Sequence, residues 1–164
     1  MTTTTARPVL LAIAIDPAEL AAVHRTGRDT AGNTPVRWPD PAGVPLRCCL
    51  RRARADDDVL LISHAPLPRQ SPWREVGPVF VHAGPCLGWP ADGGLPAELR
   101  RGPRVLRGYR GDGSLDYAAI RVVAEGEDLE RPLQELLADP AVDEVHVRAL
   151  AEQCFTYRVR AAGR

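Results

Sequence analysis

Short apolar runs bounded by turn-forming residues dominate the chain, which is typical of short strands. Residues 9–15 are apolar throughout and predict a buried strand. Asp16 and Pro17 then predict the start of a helix that continues to about residue 25, because aspartate is a favoured N-cap and proline fits the first turn. Seven further strands are predicted, at about 46–53, 59–65, 78–83, 104–110, 117–124, 142–148 and 154–160.

A second helix is predicted for the segment EDLERPLQELLAD, residues 127–139, which places its leucines on one face. Residues 26–45 contain too many turn formers for regular structure, and a loop of this length is more often functional than idle. The sequence GDGS at 111–114 predicts a hairpin turn. Eight strands and two helices, mostly in hairpin order, predict one α+β domain over residues 1–164, built on a largely antiparallel sheet, with a flexible start over 1–8.

The last two strands carry chemically distinct faces if residues 149–153 close a hairpin between them. The predicted pairs are Arg148–Cys154, Val147–Phe155, His146–Thr156, Val145–Tyr157 and Glu144–Arg158. The two valines then share an apolar core face with their aromatic partners, because strand side chains alternate between faces. The other face is polar. It is either solvated, as in many antiparallel sheets, or it is the wall of a pocket.

Composition and charge exclude several classes of partner. Of 164 residues, 26% are charged, and 21 basic residues balance 21 acidic ones, so no net field attracts nucleic acid or an anionic membrane. All the basic residues are arginines. Any anion that a side-chain cation binds is therefore bound by guanidinium, which suits carboxylate and phosphate groups. We expect an anionic small molecule as partner, and neither nucleic acid nor membrane.

The start of the chain and the cysteines bear on the compartment. The first apolar run is too short to cross a bilayer, and it lacks the charged start and cleavage site of a signal peptide. We therefore expect a cytoplasmic protein whose cysteines, Cys48, Cys49, Cys86 and Cys154, are reduced. No CxxC spacing is present, and the vicinal cysteines are a poor disulfide pair.

Several segments together resemble one bacterial family. They are RTGRDTAGN (25–33), PLRCCLR (45–51), SPWREVGPVFVHAGPC (71–86), RVLRGY (104–109) and LADPAVDEVHVR followed by CF (137–155). In this order they are similar to the family catalogued as domain of unknown function 1203, over nearly the whole chain. The resemblance implies no activity, cofactor or substrate. The family pattern has an aromatic residue at His64, a tyrosine at Trp73 and a glycine at Gln153, so His64 is not expected to be a catalytic residue of the family.

His82 and Cys86 are the first candidates for chemistry, because the histidine ends an apolar strand and the cysteine follows four residues later. Three interpretations remain open. The pair could belong to a zinc site, for which other cysteines or His146 would have to supply two more ligands through the fold. A cysteine, Cys154 ahead of Cys86, could be a nucleophile that a histidine activates. Or each cysteine is a small buried apolar residue, which we favour, so we predict no cofactor, with zinc as the alternative.

The arginines of the family-like segments are candidates for an anion pocket, although surface arginines are more often solvated or paired with acids. The predicted binding residues are Arg25, Asp29, Arg47, Arg107 and Arg148, and the predicted catalytic residues are His82, Tyr109, His146 and Cys154. The favoured function is a small enzyme that acts on an anionic molecule by acid–base or thiol chemistry. The alternatives are a non-catalytic binding or sensing module with the same pocket, and a partner-binding subunit.

Overall fold

A computed structural model describes residues 7–164, which contain two α-helices and eight β-strands. The elements are β1 (Leu10–Ile13), α1 (Pro17–Thr26), β2 (Val36–Arg37), β3 (Val59–His64), β4 (Gly77–His82), β5 (Arg104–Tyr109), β6 (Leu115–Val123), α2 (Glu130–Leu137), β7 (Glu144–Ala149) and β8 (Phe155–Ala161). Two antiparallel sheets result, with strand orders β1-β8-β7-β5-β6 and β2-β3-β4. The predicted α+β class is confirmed. The predicted flexible start over 1–8 lies mostly outside the described residues.

The five-stranded sheet packs one face against α2. The leucines at 129, 133, 136 and 137 are all buried, as the helical spacing predicts. They form the larger core with the inward side chains of the strands, among them Val145, Val147 and Tyr157. Full burial of a leucine contributes about 1.5–3 kcal/mol, so this leucine face is what fixes α2 to the sheet.

The three-stranded sheet packs near α1, which starts and stops where the sequence predicts. The Asp16 carboxylate accepts the N–H of Ala18 at 2.8 Å, and Gly27 ends the helix with a left-handed φ of 64°. Leu20 and Val23 of α1 lie in a second core that also contains residues of β3, β4 and β8. Because β8 contributes to this core as well, the two sheets are joined through it.

The predicted strand at 46–53 is wrong. These residues form a tight turn in which the N–H of Leu46 donates to the carbonyl of Arg51 at 2.8 Å, and Leu50 has a positive φ of 53°. A left-handed residue interrupts an extended chain, so apolar spacing alone was misleading here. The eighth strand is instead β2, inside the segment 26–45 that the composition predicts to be irregular.

The predicted register between β7 and β8 is also wrong. The observed pairs are Val145–Val159, His146–Arg158, Val147–Tyr157 and Arg148–Phe155. A β-bulge after Val147 and the left-handed backbone of Gln153, with φ 58°, account for the shift. Gln153 is the position at which the family resemblance implies glycine, which adopts this conformation without steric cost. A two-residue shift keeps the side chains of β7 on their predicted faces.

No helix among residues 7–164 has the length and apolar character needed to cross a bilayer.

Candidate functional site

The turn at residues 45–52 brings two cysteines against the end of β4. The N–H of Arg47 donates to the carbonyl of Phe80 in β4 at 2.9 Å, which holds the turn beside that strand. Cys48 and Cys49 follow at the tip of the turn, next to the last residue of β4. The hydrogen bonds of the turn, rather than sequence proximity, therefore place these cysteines near the predicted histidine.

Cys48, Cys49, His82 and Cys86 form a thiol–imidazole cluster, whose four ligand atoms lie within 4.8 Å of one another. The Nδ1 atom of His82 is 3.4 Å from Sγ of Cys48 and 3.9 Å from Sγ of Cys49. Cys48 is buried and the other three residues are partly exposed. The pair that the sequence singled out, His82 and Cys86, is thus half of a larger set.

Two sulfurs of the cluster accept a backbone N–H group. The donors are His82 for Cys48 at 3.3 Å and Gly88 for Cys86 at 3.4 Å. Backbone N–H groups that point at a sulfur stabilise the thiolate over the thiol. The backbone around the cluster is therefore arranged for negatively charged sulfur.

The three thiols do not ionise alike. A hydrogen bond from Cys48 lowers the pKa of Cys49 to about 6, and the same contact, with burial, raises the pKa of Cys48. Burial raises the pKa of Cys86. Cys49 is accordingly the cysteine of the three that ionises most readily, and a cation among the sulfurs would favour ionisation of the other two.

The second imidazole nitrogen of His82 faces a carboxylate. Nε2 lies 3.5 Å from Oδ1 of Asp57 and 3.1 Å from Nη2 of Arg51. Arg51 donates both Nη groups to Asp57, at 2.7 and 3.0 Å, and this guanidinium holds the pKa of Asp57 well below its usual range. The guanidinium of Arg51 can only donate, so without a metal Nε2 accepts its N–H and the proton on Nδ1 faces the sulfurs. A metal ion at Nδ1 would replace that proton, and the imidazole proton would then lie on Nε2, beside the carboxylate of Asp57.

The donor set is that of a tetrahedral zinc site, and its donor–donor distances, all within 4.8 Å, are close to those of one. With Zn–S of about 2.3 Å and Zn–N of about 2.0–2.1 Å, neighbouring ligand atoms lie about 3.5–3.8 Å apart. The two N···S distances, 3.4 and 3.9 Å, bracket that interval. Thiolates and imidazole suit zinc, whereas calcium and magnesium require oxygen ligands.

Two of the predicted binding arginines share one carboxylate. Arg148 of β7 is buried and forms an ion pair with Glu75, whose carboxylate also lies 3.4 Å from Nη1 of Arg107 in β5. Glu75, Arg148 and Cys154 line a cavity of about 380 Å³. The structure therefore brings Arg107 and Arg148 together, but with Glu75 as an internal counter-ion between them.

Tyr109 and His146, two of the predicted catalytic residues, are buried against each other with ring centroids 4.3 Å apart. Nε2 of His146 lies 2.7 Å from Oε1 of Glu144, and Arg160 donates to the same carboxylate at 2.8 Å. Burial lowers the pKa of His146 and raises that of Tyr109. The side chain of His146 is 1% exposed, so this network is part of the interior, while His82 lies in the thiol–imidazole cluster.

The two predicted binding residues at and after the end of α1 differ from each other. Arg25 is exposed in the last turn of that helix. Asp29 is buried, and its carboxylate accepts the N–H groups of Ala31, Asn33 and Ser63 at 3.0, 2.9 and 2.7 Å. Asp29 therefore closes its own loop and fixes that loop to β3.

Arg47, the remaining predicted binding residue, is buried, and Nε donates to the carbonyl of Phe155 at 2.8 Å. Burial lowers its pKa to about 10, so it stays charged at neutral pH.

Arg52 and Arg104 line one cavity together with Arg47, and neither stands out in the sequence. Asp57 was missed as well, because in the sequence it is one of three consecutive aspartates whose partners only the fold reveals.

The comparisons with known proteins give one match. A family model described as "Protein of unknown function (DUF1203)" matches residues 43–161. No curated protein and no solved structure matches the chain.

Proposed function

This chain belongs to the DUF1203 family, whose description assigns no activity, and we propose from the site geometry that it binds one zinc ion. The ligands are Cys48, Cys49, His82 and Cys86. The observation that carries the proposal is the convergence of one imidazole nitrogen and three sulfurs within 4.8 Å. Four such donors in that space form a complete tetrahedral set.

The proposed zinc is structural. Four protein ligands leave no open position for a substrate or a reactive water, in contrast to catalytic zinc sites, which have three. The ion would join the 45–52 turn to two later segments, the end of β4 and the irregular 83–88 loop that follows it. The turn lies about thirty residues before these two segments. Because an unfolded chain lacks the site, the free energy of binding adds to the stability of the fold.

The surroundings of the ligands support the same function. On the side away from the sulfurs, Arg51 contacts the imidazole and Asp57 holds Arg51 in place and lies 3.5 Å from Nε2, where carboxylates commonly support histidines that bind metals. The backbone N–H groups that donate to Cys48 and Cys86 reduce the cost of ionising these two sulfurs. This proposal uses the cysteines of the cluster as ligands and assigns none of them to nucleophilic catalysis.

Metal analysis under reducing conditions tests the proposal. We expect about one zinc per chain in protein purified without chelator. Replacement of zinc by cobalt should give the intense visible bands of tetrahedral cobalt together with near-ultraviolet sulfur-to-cobalt charge transfer. Cys86→Ser should reduce the zinc content strongly, because it removes one of four ligands.

Cys154→Ser is the matched control, because Cys154 is the described cysteine outside the cluster. It should retain full zinc content and an unchanged cobalt spectrum. Protein that stays free of zinc and cobalt after reconstitution with excess ion would contradict the proposal. So would equal zinc content in the two serine variants.

A further inference from the structure

The cavity that contains Arg47 has the size and charge of a ligand site. Its volume is about 500 Å³, within the range of about 300–1,000 Å³ typical of small-molecule sites. Its walls come from residues 43–52, from Phe80 of β4, from the start of β5 and from residues 149–156. It shares no side chain with the thiol–imidazole cluster.

Three guanidinium groups line this cavity without a carboxylate partner. Arg47, Arg52 and Arg104 use their side chains to donate to backbone carbonyls, at 2.8 Å to Phe155, 2.9 Å to Gly43 and 2.9 Å to Pro103. Within residues 7–164 none of the three forms an ion pair. Nine other arginines of that range do form one. The acid in the lining, Glu152, is exposed and forms no ion pair with any of the three. The carboxylate of Glu98 lies near Arg52, but it accepts the backbone N–H of that residue at 2.8 Å and forms no ion pair with its guanidinium.

One donor in this cavity has no acceptor. The Nε atom of Arg104 is buried and has no hydrogen-bond partner among the described residues. A buried N–H of a charged group without an acceptor is costly, and native proteins avoid it unless a ligand or water supplies the missing oxygen. This unused donor belongs to one of the three arginines of the cavity and is consistent with an anion as the missing acceptor.

Most of the remaining lining is apolar. Val44, Phe80, Pro103 and Leu150 supply hydrocarbon surface beside the three arginines. A bare inorganic ion would leave that surface uncovered. We propose that the cavity binds a small organic anion, whose carboxylate or phosphate contacts Arg47, Arg52 and Arg104 and whose apolar body packs on Phe80 and Leu150.

The second arginine-lined cavity is a weaker candidate for the same ligand. The Nε atom of Arg148 there is also buried without an acceptor among the described residues. However, Glu75 lines that cavity and forms ion pairs with Arg148 and with the neighbouring Arg107, so an incoming anion would first have to displace a carboxylate that the protein supplies. The cavity of Arg47 imposes no such competition. The sequence predicts an anion partner. We assign that anion to the cavity of Arg47, because the arginines there form no ion pairs with acidic residues.

Binding of benzoate, phenyl phosphate and the neutral benzamide by calorimetry tests the inference. Both anions should bind at millimolar concentrations or below, and benzamide should bind at least about tenfold more weakly than benzoate because it lacks the charge. In spectra of the arginine Nε–H groups, the Arg104 signal should shift on addition of phenyl phosphate. No binding of either anion, or equal binding of benzoate and benzamide, overturns the inference.

Arg104→Met and Arg131→Met form the matched pair of variants. Each removes one guanidinium, but Arg131 is exposed on α2 and pairs with Glu135. Arg104→Met should weaken phenyl phosphate binding about tenfold or more, and Arg131→Met should leave it unchanged. Arg104 donates only to the carbonyl of its neighbour Pro103, so its loss should not unfold the protein. Equal affinities in the two variants refute the site, whatever the zinc content.

Discussion

Asp57 and His82 face each other across 3.5 Å, on the side of the imidazole that is turned away from the cysteines. The carboxylate is itself held by two hydrogen bonds from Arg51 and one from the N–H of Arg54. The orientation of the imidazole is therefore set by a chain of contacts that begins outside the thiol–imidazole cluster. In a metal site this kind of support accounts for a measurable share of the affinity.

The first prediction follows from that contact. Asp57→Asn should weaken zinc binding by about 10- to 100-fold, because the neutral amide no longer favours the Nε2 proton of His82. Competition with a chromophoric chelator gives the affinity. Asp58→Asn is the control, since the adjacent carboxylate is exposed and pairs with Arg37 at the surface. Equal zinc affinities in the two variants would show that Asp57 plays no part.

Zinc should protect three of the four cysteines from alkylation. Cys48, Cys49 and Cys86 should react with iodoacetamide only after a chelator removes the metal, because a bound thiolate is a poor nucleophile. Cys154 lies outside the cluster and should react in both states. Peptide mass spectrometry reads each site separately. Rapid modification of Cys49 in the zinc-loaded protein would contradict the ligand assignment.

The buried pair of Glu144 and His146 should make the fold sensitive to acid. Burial lowers the pKa of His146 below 6.5. Burial raises the pKa of Glu144, but the hydrogen bond from His146 and the nearby arginines outweigh this and lower it to about 2. Both groups bind fewer protons in the folded state, so their contribution is complete above about pH 6.5 and is lost as the pH falls through the folded values.

The free energy of unfolding should therefore decrease from about pH 6.5 downwards, by at most about 1.4 kcal/mol per pH unit for each titrating group. His146→Gln removes one titration while retaining a side chain that can donate to Glu144. Its unfolding free energy should depend less on pH between about 6.5 and 5. Denaturant unfolding at several pH values measures this. Parallel pH profiles for the two proteins would mean that His146 does not titrate on unfolding.

Removal of the shared counter-ion should create a second anion site. In Glu75→Gln, Arg107 and Arg148 lose their common carboxylate, so phosphate should stabilise this variant more than the wild type. The gain is about 1 kcal/mol when phosphate is present at about five times its Kd. Thermal unfolding with and without phosphate measures it. Glu135→Gln, which removes the exposed partner of Arg131, should respond to phosphate like the wild type.

The sequence was sufficient for most elements because their signals are local. Asp16 and Pro17 mark the start of α1, and the leucine spacing of α2 marks its buried face. The turn at 45–52 was misread because its apolar residues mimic strand spacing, while the left-handed Leu50 leaves no trace in that pattern. The β7–β8 register was misjudged because a slip of two residues preserves every face that alternation can detect.

Only two of the four residues of the thiol–imidazole cluster could be paired from the sequence, for a related reason. His82 and Cys86 are close in sequence, so their pairing could be proposed directly. Cys48 and Cys49 precede them by more than thirty residues, and their approach depends on the hydrogen bond from Arg47 to Phe80. The charge balance of the arginines was equally hidden, because a sequence does not reveal which of them lack an acidic partner.

Arg47 and Cys48 are consecutive in one short turn, yet they belong to different sites. Any displacement of this turn by one ligand would move a residue of the other site as well. Thermodynamic linkage then requires the two ligands to change each other's affinity by the same factor. A zinc ion that tightens the turn and promotes capture of the anion is itself retained more firmly once the anion is bound. The fraction of protein that holds both ligands would in that case depend on the joint presence of zinc and the organic anion.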